Sequence, residues 1–187
     1  SWVFWAAVPG LMTSPMITTT LFFHQVHLVE IKNWDLSTYV LFIPAYSAAT
    51  LFSLYLIGYL VDKLSTKIIL PVFLFPLISG LLLLSIATSH LELLLIFILL
   101  GLSAGAYIVV YGTFFPEFFG SLYLGSVRTV GVTIMVFSSA IGPVLSGYFI
   151  DLGYLIDHQF KFFAAFSVFA SLLFLTINLS VKLPENA

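Results

Sequence analysis

Six apolar segments, each long enough to cross a membrane as a helix, divide the chain, and nearly all charged residues lie between them. A hydrocarbon core of about 30 Å needs about 20 helical residues. Only 7 % of the 187 residues are charged and 61 % are hydrophobic, whereas about a quarter of a soluble domain is charged. The sequence therefore predicts an all-α, multi-pass membrane protein with one domain over residues 1–187. Its predicted spans are residues 2–26, 39–60, 68–88, 93–115, 130–150 and 160–181.

The composition also excludes several classes of function. The chain has no cysteine, so neither a disulfide framework nor thiolate catalysis is available. No cluster of Lys and Arg is present that would neutralise the phosphates of a nucleic acid. We predict no catalytic residue, no cofactor and no metal ion, and we expect the lipid bilayer to be one partner of the chain.

The Lys and Arg residues between the spans predict the orientation of the chain. Cytoplasmic loops of helical membrane proteins are enriched in these residues, and the split here is four on the side of the amino end against two on the other. This asymmetry predicts a cytoplasmic amino end, in a plasma membrane or a bacterial inner membrane. Because Ser1 stands where Met would begin a complete chain, we expect a piece of a longer protein. The four Lys and Arg residues on the side of the amino end are Lys63, Lys67, Arg128 and Lys182, and the two on the other side are Lys32 and Lys161.

Polar side chains recur at helical spacing on four of the six predicted helices, whereas the third and sixth are almost wholly apolar. Such spacing places the polar groups on one face of each helix. The order of two polar-faced helices and one apolar helix occurs twice, which predicts two three-helix units around a polar path. A packing role is the alternative for each small residue, with Gly101 and Gly105 as one small-residue pair. The candidates for a substrate pathway are Thr20, His24, Tyr46, Thr50, Ser103, Tyr107 and Tyr111.

Prolines interrupt several of these helices, including Pro9 and Pro15 in the first and Pro143 in the fifth. Proline removes a backbone donor and bends a helix, so these helices can flex or expose a carbonyl group. Pro71 and Pro76 occur in the apolar third helix, since proline is common in membrane helices generally.

The loop after the second span carries a recognisable motif. Residues 58–67 read GYLVDKLSTK and resemble the G-x-L-x-D-(R/K)-x-G-R-(R/K) signature of the major facilitator superfamily. Gly58, Leu60, Asp62, Lys63 and Lys67 match this signature, while Ser65 and Thr66 replace its second glycine and its arginine.

Two later segments resemble the same family. Residues 116–120 (PEFFG), followed by Arg128, are similar to the connection between the tenth and eleventh helices of the family. Residues 142–151 (GPVLSGYFID) are similar to the eleventh helix. With the six spans, the resemblance covers essentially the whole chain.

The resemblance implies the carboxyl-terminal half, helices seven to twelve, of a twelve-helix transporter. Such a carrier moves a small-molecule substrate by alternating access, and its partner would be the missing amino-terminal six-helix half. The resemblance also implies a conformational latch, in which Asp62 would dock against the fifth helix of that half. The latch candidates are Gly58, Asp62, Lys63, Lys67, Glu117 and Arg128.

Two other readings stay open at this point. A non-transporting membrane scaffold or receptor would explain the six helices, although not the polar faces. An intramembrane serine protease is suggested by residues 101–105, which spell G-x-S-x-G around Ser103. That reading needs a histidine base in the sixth helix, and His158 lies in the loop before it, so the serine would not be activated.

Overall fold

The computed structural model describes residues 1–181, and every regular element in that range is a helix. Lys182, which contributes to the predicted orientation, lies outside the described residues. Within residues 1–181, five helical stretches are long and apolar enough to span a membrane, and α6 is shorter. The helices are α1 (Trp2–Phe23), α2 (Gln25–Ile31), α3 (Leu36–Leu41), α4 (Ile43–Leu64), α5 (Thr66–Ile69), α6 (Phe75–Ile86), α7 (His90–Phe119), α8 (Leu124–Asp151) and α9 (Ile156–Ser180).

The third predicted span, residues 68–88, is not a continuous helix. Residues 70–74 form turns between α5 and α6. Pro71 cannot donate to the carbonyl group four residues earlier and its ring clashes there, which ends α5. Pro76 lies in the first turn of α6, where a missing N–H is tolerated.

Capping residues fix where helices begin at the connections. Ser89 and Glu92 form a capping box at α7, in which each side chain accepts the other's backbone N–H. Asp35 caps α3 by accepting the Thr38 N–H at 3.1 Å. Hydrogen bonds from the hydroxyl of Ser37 and from Thr38 lower the pKa of Asp35 below its ordinary value. These caps satisfy N–H groups that a helix leaves unpaired at its start.

The pattern of helix contacts is nearly unchanged when α1 is exchanged with α7, α4 with α8, and α6 with α9. The two most extensive contacts, α4 with α7 and α1 with α8, map onto each other under this exchange. So do the contacts of α6 with α7 and of α9 with α1, whereas α6 with α9 maps onto itself. The described bundle therefore has an approximate twofold relationship between its first and second three long helices.

Burial is uneven among the helices. Half of the apolar stretch of α1 and of α7 is buried, but only 6 % of that of α3–α4. Large apolar side chains such as Leu51, Phe52 and Tyr55 are exposed on α4. The two apolar helices α6 and α9 each bury one side. Phe73, in the turns before α6, packs against Phe174 of α9 with ring centroids 5.5 Å apart. The core thus lies around α1 and α7.

We call the end of the bundle that holds Trp2, Ser65 and Phe119 the near end, and the end that holds Lys32 and Asp157 the far end. At the far end the ammonium nitrogen of Lys32 lies 2.9 Å from a carboxylate oxygen of Asp157. The indole N–H of Trp34 donates to the carbonyl of Thr88 at 3.0 Å. The first contact ties the connection after α2 to the start of α9, and the second ties the same connection to the one between α6 and α7.

Candidate functional site: a polar face and a near-end clamp

Tyr107 lies on the face of α7 that is turned towards α1. Its hydroxyl is buried and donates a 2.9 Å hydrogen bond to the carbonyl oxygen of Leu11. In a regular helix that carbonyl would accept the N–H of residue 15, but Pro15 has none. The proline therefore frees an acceptor within the bundle, and the tyrosine satisfies it.

Ser103 and Tyr111 flank Tyr107, one turn away in each direction. Ser103 is 1 % exposed and Tyr111 is 9 % exposed. Neither hydroxyl has a hydrogen-bond partner among residues 1–181. A buried hydroxyl left unpaired costs about 1 to 3 kcal/mol, so each hydroxyl keeps a hydrogen-bonding group that a water or a polar solute group would satisfy. We call Ser103, Tyr107 and Tyr111 the α7 polar face.

The unpaired Ser103 hydroxyl also bears on the protease reading. A nucleophilic serine needs a base within hydrogen-bond reach, and Ser103 Oγ has no such partner in the described part of the chain. Gly101 and Gly105, which spell the rest of the motif, pack against the backbone of α4.

Thr20 lies on α1 and His24 follows the last residue of that helix, and both contact α8. The Thr20 hydroxyl donates to the carbonyl of Met16 at 2.7 Å, and a Cβ atom on Gly142 would lie 2.5 Å from its oxygen. His24 Nε2 lies 3.0 Å from the carbonyl oxygen of Pro143. Thr20 is nine residues beyond Leu11, about 14 Å along the helix. Among residues 1–181, no hydrogen bond joins Thr20 or His24 to the α7 polar face, since Thr20 bonds within α1 and His24 meets Pro143.

Tyr46 and Thr50 lie on the side of α4 that packs against α7. Cβ atoms on Gly101 and Gly105 would collide with the carbonyl oxygens of Tyr46 and Thr50, respectively. The Thr50 hydroxyl donates back to the carbonyl of Tyr46 at 2.8 Å. These contacts are those of a close helix-helix interface, where small residues let backbones approach.

The near end contains a cluster that we call the clamp, formed by Thr66, Lys67, Thr113 and Glu117. The carboxylate of Glu117, near the end of α7, accepts the backbone N–H groups of Thr66 at 2.9 Å and Lys67 at 3.2 Å. The hydroxyl of Thr66 donates to that of Thr113 at 2.7 Å. These N–H groups open α5 and would otherwise lack helical partners, and a carboxylate is favourable at a helix start.

The signature loop enters the clamp through a sharp change of direction at Ser65. Its φ is +80°, a region in which glycine is unstrained and serine is not. The family signature has glycine at this position, so the loop keeps the turn that glycine would make. Ser65 directly precedes the two residues whose N–H groups Glu117 accepts.

The other latch candidates do not join the clamp. Asp62 and Arg128 are exposed, and the one ion pair within residues 1–181 is that of Lys32 with Asp157. Lys63 places its ammonium group 5.8 Å from the ring centroid of Tyr59. Gly58 faces open space, because an added Cβ would meet nothing within 4 Å.

Sequence reasoning missed three contributors to these sites. Leu11 carries no polar side chain, although Pro15 four residues later signals that its carbonyl is free. Thr66 was noted only as a departure from the signature, and Thr113 gave no signal. Their partnership depends on the approach of α5 to α7, which the local sequence does not encode.

Comparison with known proteins identifies the family of the chain. The family model described as Major Facilitator Superfamily matches residues 2–186. A search of the curated proteins gives no match.

Proposed function

Because this chain belongs to the Major Facilitator Superfamily, we propose that it is the carboxyl-terminal half of a secondary-active carrier that moves a small solute by alternating access. Family membership indicates an integral, multi-pass membrane protein engaged in transmembrane transport, and members are generally not enzymes.

The packing of the helices supports an origin in two three-helix repeats. Exchange of α1, α4 and α6 for α7, α8 and α9 preserves the main interhelical contacts. Repeats of this kind are common in transporters, whose substrate sites lie near the repeat interfaces. In this arrangement α1 and α7 occupy equivalent central positions, which agrees with the polar face on α7.

The exposed apolar sides of α4 and α8 support a partner half. Side chains such as Phe52 and Tyr55 on α4 and Phe137 and Val144 on α8 are exposed within the described bundle. Both helices flank the central pair, since α4 packs on α7 and α8 packs on α1. We propose that a second six-helix half covers part of these surfaces and that the amino end of this chain is cytoplasmic.

The observation that carries the proposed transport role is the pair of buried, unpaired hydroxyls of Ser103 and Tyr111. They lie on either side of the Tyr107 hydroxyl, which already donates a hydrogen bond to Leu11 of α1. We propose that these two hydroxyls bind the solute or its water in one state of the carrier. Among the pathway candidates, Thr20, His24, Tyr46 and Thr50 then shape the helix contacts that border this path.

The near end supplies two different devices in this proposal. The clamp keeps α5 attached to α7. Asp62 and Arg128 remain exposed and free to meet the second half, which suits the latch role that the family resemblance implies. Lys63 and Lys67 add positive charge on the proposed cytoplasmic side.

Transport measurements on the full-length protein in proteoliposomes would test the role of the α7 polar face. If the two hydroxyls bind solute, Ser103→Ala and Tyr111→Phe should each weaken the apparent affinity by about twofold to tenfold, from 0.5 to 1.5 kcal/mol per hydrogen bond. Uptake would be measured across a panel of small neutral and anionic solutes.

Two matched substitutions provide the controls. Ser167 is buried but donates within its own helix to Phe163 at 2.8 Å, and Tyr148 is exposed. Ser167→Ala and Tyr148→Phe should leave affinity unchanged. Unchanged affinity in all four variants, with normal expression, would remove the α7 polar face from the pathway.

A further inference from the structure

A cavity separate from the α7 polar face lies between the end of α8 and the start of α9. Its volume is about 220 Å³. Although a short connection joins the two helices, they make few close contacts, since α8 packs on α1 while α9 packs on α1 and α6. The helices therefore diverge from their connection and leave a wedge between them.

The floor of this cavity contains a buried amide. Gln159 is only 8 % exposed, and its Oε1 accepts the hydroxyl hydrogen of Ser146 at 2.6 Å. Its Nε2 makes a single contact, to the carbonyl of Ser146 at 3.5 Å. A glutamine amide has two N–H donors, so at least one has no partner among residues 1–181. Buried polar groups in a membrane helix are costly to leave unpaired.

The walls and the rim of the cavity show what kind of molecule could enter. Leu145, Phe149 and Phe162 form apolar walls and are themselves exposed, so the opening faces the bilayer or an adjacent helix. Tyr154 and His158 stand at the rim, at the level of the helix ends where amphipathic side chains meet the headgroups. Within residues 1–181, no Lys or Arg lines the cavity, so a charged carboxylate would lack a counter-ion there.

We propose that this cavity binds a neutral, single-headed membrane amphiphile, whose hydroxyl or carbonyl oxygen accepts the free N–H of Gln159 while its apolar body lies along Phe149 and Phe162. An apolar cavity of about 150 Å³ is large enough for benzene, so this one admits a somewhat larger apolar segment. Ser146 is a positioning residue, because its hydroxyl and its carbonyl hold the two ends of the Gln159 amide and leave one N–H of Nε2 for a ligand. None of the residues that line this cavity belongs to the α7 polar face, and the proposed site does not depend on transport.

Photolabelling of the full-length protein in nanodiscs tests this site without a transport assay. The probe is a long-chain primary alcohol with a diazirine close to its hydroxyl end, and its partner probe is the same molecule without the oxygen. The alcohol should label residues 145–163 in a saturable manner, as measured by peptide mass spectrometry. The hydrocarbon cannot accept the N–H of Gln159, so it should show no preference for residues 145–163 over other lipid-facing residues.

Two substitutions probe the polar contact and the space separately. Gln159→Leu should raise the half-saturating concentration of the alcohol by about twofold to tenfold, the loss expected for one hydrogen bond. Leu145→Trp fills the cavity without altering the Ser146–Gln159 pair, and should abolish saturable labelling. Leu175→Trp is its control, because Leu175 is a partly exposed leucine of α9 that does not line the cavity.

Saturable alcohol labelling that is lost in Leu145→Trp and kept in Leu175→Trp supports the site even if Gln159→Leu fails to express. Labelling that does not saturate, or that is equal in Leu145→Trp and the wild type, means bulk lipid contact only and overturns the proposal. Absence of labelling at residues 145–163, because another segment of the full-length protein fills the wedge, overturns it as well.

Discussion

The hydroxyl of Tyr107 donates to the carbonyl oxygen of Leu11, the acceptor that Pro15 leaves without a helical partner. Pro15 of α1 thus leaves the carbonyl of Leu11 without its helical donor, and Tyr107 of α7 supplies a donor across the helix contact. The pairing changes the expected role of Tyr107, because its hydroxyl stabilises the bundle before any solute arrives.

A double-mutant cycle between Tyr107 and Pro15 should detect this coupling. Tyr107→Phe should lower the free energy of unfolding by about 0.5 to 1.5 kcal/mol, since interhelical hydrogen bonds in membranes lie in this range. In Pro15→Ala, the new N–H can reach the carbonyl of Leu11, so adding Tyr107→Phe should cost less. Unfolding in detergent would be induced by heat or denaturant, and Tyr148→Phe would serve as the exposed-tyrosine control. Strict additivity of the two substitutions would argue against the pairing.

The clamp predicts the protection of two backbone amides. Removing the carboxylate in Glu117→Ala should speed hydrogen exchange at Thr66 and Lys67 by about tenfold or more, because hydrogen bonds to charged groups contribute about 1.5 to 3 kcal/mol. Exchange would be measured by mass spectrometry on the intact protein. Asp62→Asn is the matched carboxylate control, since Asp62 is exposed and should leave both amides as protected as before. Equal exchange in all three proteins would show that Glu117 does not hold α5.

Asp62 should matter for transport and not for the clamp. If it latches this half to the other in one state, Asp62→Asn should reduce the rate of uptake far more than it reduces expression or solute binding. The comparison requires uptake, binding and membrane level in the same preparation of full-length protein. Uptake by Asp62→Asn at the wild-type rate would mean that Asp62 and its loop serve only to set the membrane topology.

Close packing of α4 on α7 makes Gly101 a sensitive position. Gly101→Ala places a Cβ atom against the carbonyl oxygen of Tyr46 and 2.9 Å from Cβ of Ala49. We expect a loss of stability of about 1 to 3 kcal/mol, as for overpacked cores. Gly112 lies on the same helix but would meet nothing within 4 Å, so Gly112→Ala should leave stability unchanged or higher. Equal thermal stability of the two variants would show that the helices do not approach so closely.

The proposed orientation can be read from cysteine labelling, because the native chain has no cysteine. A cysteine in place of Ser65 should react with an impermeant thiol reagent only from the cytoplasmic side. One in place of Asn33, at the far end, should react only from outside. If each position reacts only from the other side, the orientation of the chain is the opposite of the proposed one.

The sequence alone determined the class of this protein and the approximate place of its helices. Long apolar segments leave few options in a bilayer, where backbone groups must bond within their own helix. The signature loop at Asp62 likewise led to the family that the comparison identified. Even the break in the third span had a local signal, since Pro71 and Pro76 each remove a backbone donor.

The tertiary structure decided which polar residues serve packing and which remain available. Helical periodicity places Thr20, Thr50, Ser103 and Tyr107 on faces, but it does not say which helix each face meets. In the structure Thr20 packs on Gly142, Tyr107 bonds to Leu11, and Ser103 remains unpaired. The physical reason is that a hydroxyl's partner in the membrane is set by the close approach of another helix, a contact between residues far apart in the chain.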